Sequence, residues 1–159
     1  MKNWDNRWME VCKLTASWSK DKSRKTSAVI IDDRNCLLSI GWNGFPRGIN
    51  DEIKERCDRP AKYAWTEHAE RNAIYNAASN GIAVGGCKMY MPWYPCADCS
   101  RAIIQSGISE LICVEPDWDD EIWSDNFAVV KVMLDEAGIL VRFLKMKPPQ
   151  SAEPMEEDE

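Results

Sequence analysis

Histidine occurs once in this chain of 159 residues, at His68. Any site that needs an imidazole must therefore use that residue and draw its other members from cysteine or carboxylate. No apolar run approaches the ~20 residues that cross a bilayer. The N-terminal MKNWDNRWMEVCKL also lacks the apolar core of a secretory leader, so the expectation is a cytoplasmic chain without a membrane partner. Basic residues are in deficit, with 20 Lys and Arg against 26 Asp and Glu and a formal charge of −6. The long-range field of such a chain opposes a polyanion, which argues against a nucleic-acid polymer but not against a small nucleotide in a local pocket. Cysteine is present in seven copies, an odd number, and five of them (Cys12, Cys36, Cys57, Cys87 and Cys113) sit singly in apolar surroundings. They read as small buried apolar residues in a reducing compartment, not as a disulfide framework.

The length suits one domain, read as residues 1–144, followed by an acidic, proline-containing tail at 145–159 expected to be disordered. Residues 3–19 space Trp4, Trp8, Val11, Cys12 and Leu14 as a helix would. SAVIIDD and NCLLSIGWN read as strands joined by a tight turn at Asp32-Asp33-Arg34-Asn35. An alanine-rich helix is predicted from Ala61 through Ala78, stopped at Asn80-Gly81. Then come the strand CKMYMPW, a helix opened by Pro95 and stopped by Gly107, the strand ELICVEP, a helix over Glu121 to Glu136, and the strand ILVRFLK. No internal repeat is present. This alternation predicts a three-layer α/β domain with a parallel or mixed sheet.

Chemistry concentrates in TEHAERNAI and PCADC. His68 and Glu70 open one predicted helix, and Cys96 and Cys99 open another. Cysteines three apart share a helix face, and the positive helix end favours the thiolate forms that bind metal. Pro95 suits a helix start, where the N–H it lacks would be unbonded anyway. One imidazole and two thiolates make three ligands; structural zinc sites usually close with four, whereas catalytic ones leave a position for water. With Glu70 alongside to move protons, the arrangement is hydrolytic. The plainer alternative is a zinc staple between two helices, with Glu70 a solvated carboxylate.

The pattern H-x-E with P-C-x-x-C is that of the nucleobase deaminases. Together with GWNGFPRG, in this order and spacing, it resembles the deoxycytidylate (dCMP) deaminases of the cytidine deaminase-like superfamily, from about Trp18 to Phe143. The resemblance implies a three-layer α/β/α fold with a mixed five-stranded sheet. It implies that His68, Cys96 and Cys99 bind Zn2+ while Glu70 shuttles protons, protonating N3 of cytosine and then helping ammonia leave C4. The product would be dUMP, for thymidylate synthesis. It further implies a homohexamer activated by dCTP and inhibited by dTTP with Mg2+.

In GWNGFPRG the glycines permit positive φ and close backbone approach, Pro46 stiffens the loop, and Asn43 offers donor and acceptor to a sugar or phosphate. By the resemblance, Asn43 meets substrate, and Trp42, Gly44, Arg47 and Gly48 border an allosteric nucleotide. A stiffened turn is the plainer reading of each. Ser23 and Arg24, with Lys25, precede the first strand where the family places phosphate contacts; a solvated basic loop is the alternative. Tyr94 and Trp118 follow predicted strands near where relatives cover the base with an aromatic, though eight tryptophans make core roles common. Trp4, Arg7 and Trp8 could join a subunit interface or an effector pocket, and Asn72 could brace the site or simply be a polar helix residue. The family's GYNG is GWNG here, and no second histidine exists for the extra zinc that some relatives carry. Readings left open are a dCTP or free-nucleoside deaminase, a polynucleotide deaminase acting on tRNA adenosine or single-stranded DNA, and a nucleotide sensor with structural zinc.

Overall fold

The computed structural model describes residues 4–146. The expected tail lies outside the described residues except for Lys145 and Met146. In chain order the elements are α1 (Trp4–Ala16), β1 (Ser27–Ile31), β2 (Leu37–Trp42), α2 (Lys54–Cys57), α3 (Lys62–Trp65), α4 (Ala69–Ser79), β3 (Lys88–Tyr90), α5 (Ala97–Gln105), β4 (Glu110–Val114), α6 (Ser124–Glu136) and β5 (Leu140–Leu144). They form a mixed five-stranded sheet in the order β2-β1-β3-β4-β5. β1 runs antiparallel to both neighbours, while β3, β4 and β5 are parallel and joined through α5 and α6.

The sheet is covered on both faces, which is why β1 is buried throughout, with an unbroken apolar run after Ser27 in place of alternation. Ala28 and Ile30 pack into one core with Ala69, Ala73 and Ala77 of α4, Ile103 of α5, and Val130 and Leu134 of α6. Val29 and Ile31 point the other way, into a second core with Trp8, Met9 and Cys12 of α1. These are the three layers expected. The buried stripe of α1 is Trp8, Cys12 and Thr15, whereas Leu14 is exposed. Among the single cysteines, Cys12, Cys87 and Cys113 are buried as read, but Cys36 is exposed in the β1–β2 turn and Cys57 is half-buried in α2.

The largest departure from the sequence reading is the helix over 61–78, which is two. After α3 the chain turns extended at Thr66, and Glu67 exchanges two backbone bonds with Gly44: its N–H donates to the Gly44 carbonyl at 2.8 Å and its carbonyl accepts from the Gly44 N–H at 3.1 Å. Helical periodicity in the side chains could not reveal this break, because it comes from a partner 23 residues earlier in sequence. Its consequence is that α4 restarts at His68, which takes the N-cap position. At α6 the carboxylate of Asp120 accepts the N–H groups of Ile122 and Trp123 at 2.9 Å each, delaying the helix to Ser124.

α4 lies close across the edge strand β2. A Cβ placed on Gly41 would fall 2.2 Å from the Ala73 nitrogen and 2.5 Å from the Ala69 carbonyl oxygen, both backbone atoms. Around this contact Asn72 Nδ2 donates to the Trp42 carbonyl at 2.8 Å, Asn76 Nδ2 to the Ile40 carbonyl at 2.6 Å, and Ser39 Oγ to the Ala73 carbonyl at 2.7 Å. The two asparagine bonds use β2 carbonyls that a bare sheet edge would leave open, while Ser39 ties the strand to a helix carbonyl. They also fix the start of α4 relative to the sheet. No described helix is long and apolar enough to cross a membrane.

Candidate active site

Two helix N-termini meet above the sheet. His68 caps α4 and Cys96 caps α5, both with extended backbone, and Cys99 stands one turn into α5. The start of α5 is held from α6: Asn126 Oδ1 accepts the Ala97 N–H at 3.1 Å. The cap was invisible in the sequence, since it comes from 29 residues away.

His68 Nδ1 lies 3.5 Å from Cys96 Sγ and 3.4 Å from Cys99 Sγ. Tetrahedral zinc with ordinary bond lengths sets a nitrogen and a sulfur ligand ~3.6 Å apart. The donor set and its spacing therefore fit that ion, with three protein ligands and no fourth among the described residues. The two thiols share a hydrogen bond that holds Cys96 down at about 4 and pushes Cys99 up. Burial opposes the first shift and adds to the second. The imidazole, itself raised chiefly by its bond to Cys96, lowers Cys96 further. These bonds favour the thiolate form of Cys96, as does its place at the positive end of a helix. Among the described residues, His68, Cys96 and Cys99 are the group of His, Cys, Asp or Glu side chains gathered closely enough to hold a metal.

Glu70, in the first turn of α4, is 7% exposed, and burial pushes its carboxyl above the ordinary carboxylate range. With His68 and Cys96 it lines a cavity of about 470 Å³. The walls come from segments after β3 (Trp93, Tyr94) and β4 (Glu115, Asp117), from the 21–26 loop and from Arg59 to Thr66. The cavity thus opens at the carboxyl ends of the parallel strands, where α/β sheets commonly hold ligands.

Of the residues expected at substrate, Asn43, Arg24 and Tyr94 line this cavity. Asn43 is committed to the protein as well: Oδ1 accepts the Thr26 N–H at 2.9 Å and Nδ2 donates to the Arg24 carbonyl at 2.8 Å. The Arg24 guanidinium stacks over the Trp93 ring, 4.5 Å from its centroid. Ser23 is not in the lining; its Oγ accepts from Lys62 Nζ at 2.6 Å. Trp118 is not in the lining either. It meets the edge of Tyr94 at 5.5 Å and packs behind it with Phe143.

The residues expected at an effector divide. Trp42 and Gly44 line a second cavity of about 320 Å³, with Trp18 set edge-on to Trp42 at 5.1 Å. This cavity shares Asp21, Asn43 and Thr66 with the first. Arg47 bonds to Asn76 Oδ1, and Gly48 takes a positive φ of 80°; neither lines either cavity. Asn72 does brace α4, through Trp42. Sequence reasoning missed Lys62, Arg59 and Trp93 in the cavity wall. A lysine and an arginine near a proline, or one tryptophan among eight, carry no signal until the fold brings them to the cavity.

A family model described as the cytidine and deoxycytidylate deaminase zinc-binding region matches residues 2–115. An uncharacterized deaminase of the luxG 3′ region of Aliivibrio fischeri is 36% identical over 144 residues, 90% of this chain and 95% of that one. The human deoxycytidylate deaminase is 34% identical over 146 residues, 87% of this chain and 78% of its own length. Among solved structures, the dCMP deaminase of cyanophage S-TIM5 superposes with a TM-score of 0.71 at 24% identity, covering 91% of this chain and 99% of that one.

Proposed function

Because the chain belongs to the cytidine and deoxycytidylate deaminase zinc-binding family, we propose that this deaminase hydrolyses dCMP to dUMP and ammonia, with Zn2+ held by His68, Cys96 and Cys99. The observation that carries the reading is a buried carboxyl group, Glu70, lining the same cavity as His68 and Cys96 of this set. Zinc in such a site supplies a Lewis acid that makes water nucleophilic near neutral pH. Glu70 then holds and moves protons. Burial raises its proton affinity toward the working range of a general acid–base group, so it can pass a proton to N3 of the base and later to the leaving amine. Tyr94, braced by Trp118, closes one wall, and burial keeps its phenol protonated, with its pKa pushed up to about 12. A solved structure of the cyanophage S-TIM5 enzyme holds dCMP and dUMP. In this chain, Asn43 and Arg24 are the proposed contacts to sugar and phosphate.

Regulation by dCTP as activator and by dTTP with Mg2+ as inhibitor, in a homohexamer, belongs to the same proposal. Its support is the second cavity, which shares three wall residues with the first and includes Trp42 and Gly44. Ammonia release from dC, dCMP, dCTP, CMP and a single-stranded oligonucleotide, with and without the two triphosphates, tests the assignment. Turnover of dCMP above the others is expected. Turnover of the oligonucleotide alone would overturn it.

A further inference from the structure

A lysine and an aspartate are buried together in the wall of the reaction cavity, and the catalytic reading has no use for either. Lys62 Nζ reaches both carboxylate oxygens of Asp21, at 3.0 and 2.9 Å, with side chains only 10% and 9% exposed. A buried ion pair is weak evidence for stability, since desolvation offsets most of the attraction. What Asp21 touches is more informative: Oδ1 also accepts the backbone N–H groups of Ser23 at 2.8 Å and Arg24 at 3.0 Å. The third Lys62 bond goes to Ser23 Oγ. One charged pair therefore shapes the short segment that presents Arg24 to the cavity.

The sign of the charges matters as well. Arg24, Arg59 and Lys62 bring three cations to the cavity wall, and Asp21 brings an anion to it in contact with Lys62. Alone, that carboxylate would repel a phosphate. Paired with Lys62 it is neutral, and Arg24 and Arg59, which have no ion-pair partner among the described residues, are left to face the ligand.

We propose that the Lys62–Asp21 pair is a positioning device for the nucleotide phosphate: Asp21 folds the 23–24 backbone into an anion-binding corner, and Lys62 cancels the charge that would otherwise repel the anion. This rests on the reading that the substrate carries a phosphate. Lys62 is not a direct phosphate contact in this account, because its ammonium is already bonded to Asp21 and Ser23.

The test is kcat and KM for dCMP and for deoxycytidine in wild type, Lys62→Met, Asp21→Asn and the double variant, each with its zinc content. Lys62→Met exposes the substrate phosphate to an uncompensated carboxylate, so KM for dCMP should rise about tenfold or more, with a smaller change for deoxycytidine. Asp21→Asn keeps an acceptor for the two N–H groups and should leave the dCMP KM within about threefold of wild type. The double variant should recover most of the Lys62→Met loss. A merely structural pair would behave otherwise: both single changes would damage the two substrates alike and the double would be no better. That result overturns the proposal. If wild type deaminates no cytosine nucleotide, the parent reading fails instead. Equilibrium binding of inorganic phosphate to the same four proteins then decides the inference, with the same order expected and its absence counting against it.

Discussion

Replacing Gly41 by alanine should damage a metal site it does not touch. The new Cβ would lie 2.2 Å from the Ala73 nitrogen and 2.5 Å from the Ala69 carbonyl oxygen. Comfortable contact needs roughly 3.5 Å, so strand and helix must part by about 1 Å. Neither clashing atom is the movable end of a side chain, so the strain passes to the start of α4, where His68 precedes Ala69. Zinc ligands tolerate departures of only about 0.2 Å, several times less than that displacement. Overpacking of this kind costs ~1–3 kcal/mol, and loss of the three flanking side-chain bonds would add to it. The assay is denaturant unfolding together with zinc per chain by elemental analysis. We expect a loss of about 2–4 kcal/mol and zinc affinity reduced at least tenfold. Gly44→Ala is the control, since a Cβ there meets nothing within 4 Å and the φ is not positive. Gly41→Ala with wild-type stability and full zinc would refute the reasoning.

Glu70→Gln should retain zinc and lose turnover by about 10²–10⁴-fold, read by dCMP kinetics beside metal analysis; a near wild-type rate would remove Glu70 from proton transfer. Asn43→Asp turns a carboxylate oxygen toward the Arg24 carbonyl in place of a donor, and should cost about 1–3 kcal/mol in denaturant unfolding. Asp5 is held below the usual carboxylate range chiefly by hydrogen bonds from Arg142, whose Nε donates separately to Glu110. Its folded pKa is lowered, so its contribution is present above the unfolded value and is lost as pH falls through the folded one. Asp5→Asn should therefore be less stable than wild type at neutral pH and should converge with it in acid, as thermal melts across pH would show.

The strand positions and the residues of the candidate metal site were legible in the sequence for different reasons. β1 and β4 each carry a short apolar run, and Gly107, at positive φ, stops α5 where a helix end was expected. The candidate metal site was legible because helix starts carry recognisable chemistry: a proline, cysteines three apart, and a histidine two residues before a glutamate. What stayed hidden depends on contacts between distant segments. The break before α4 needs Gly44, the cap of α5 needs Asn126, and the phosphate corner needs Lys62 to reach Asp21. Trp118 shows the converse: its position after β4 was right, but Tyr94 stands between it and the cavity.

The most direct measurement is the rate of dUMP formation from dCMP against bound zinc per chain, as a chelator strips the metal and zinc is added back. The account predicts a rate proportional to occupancy, approaching one ion per chain, and restored with the metal. Undiminished turnover by the stripped chain, or a fully zinc-loaded chain inert on dCMP, would contradict it.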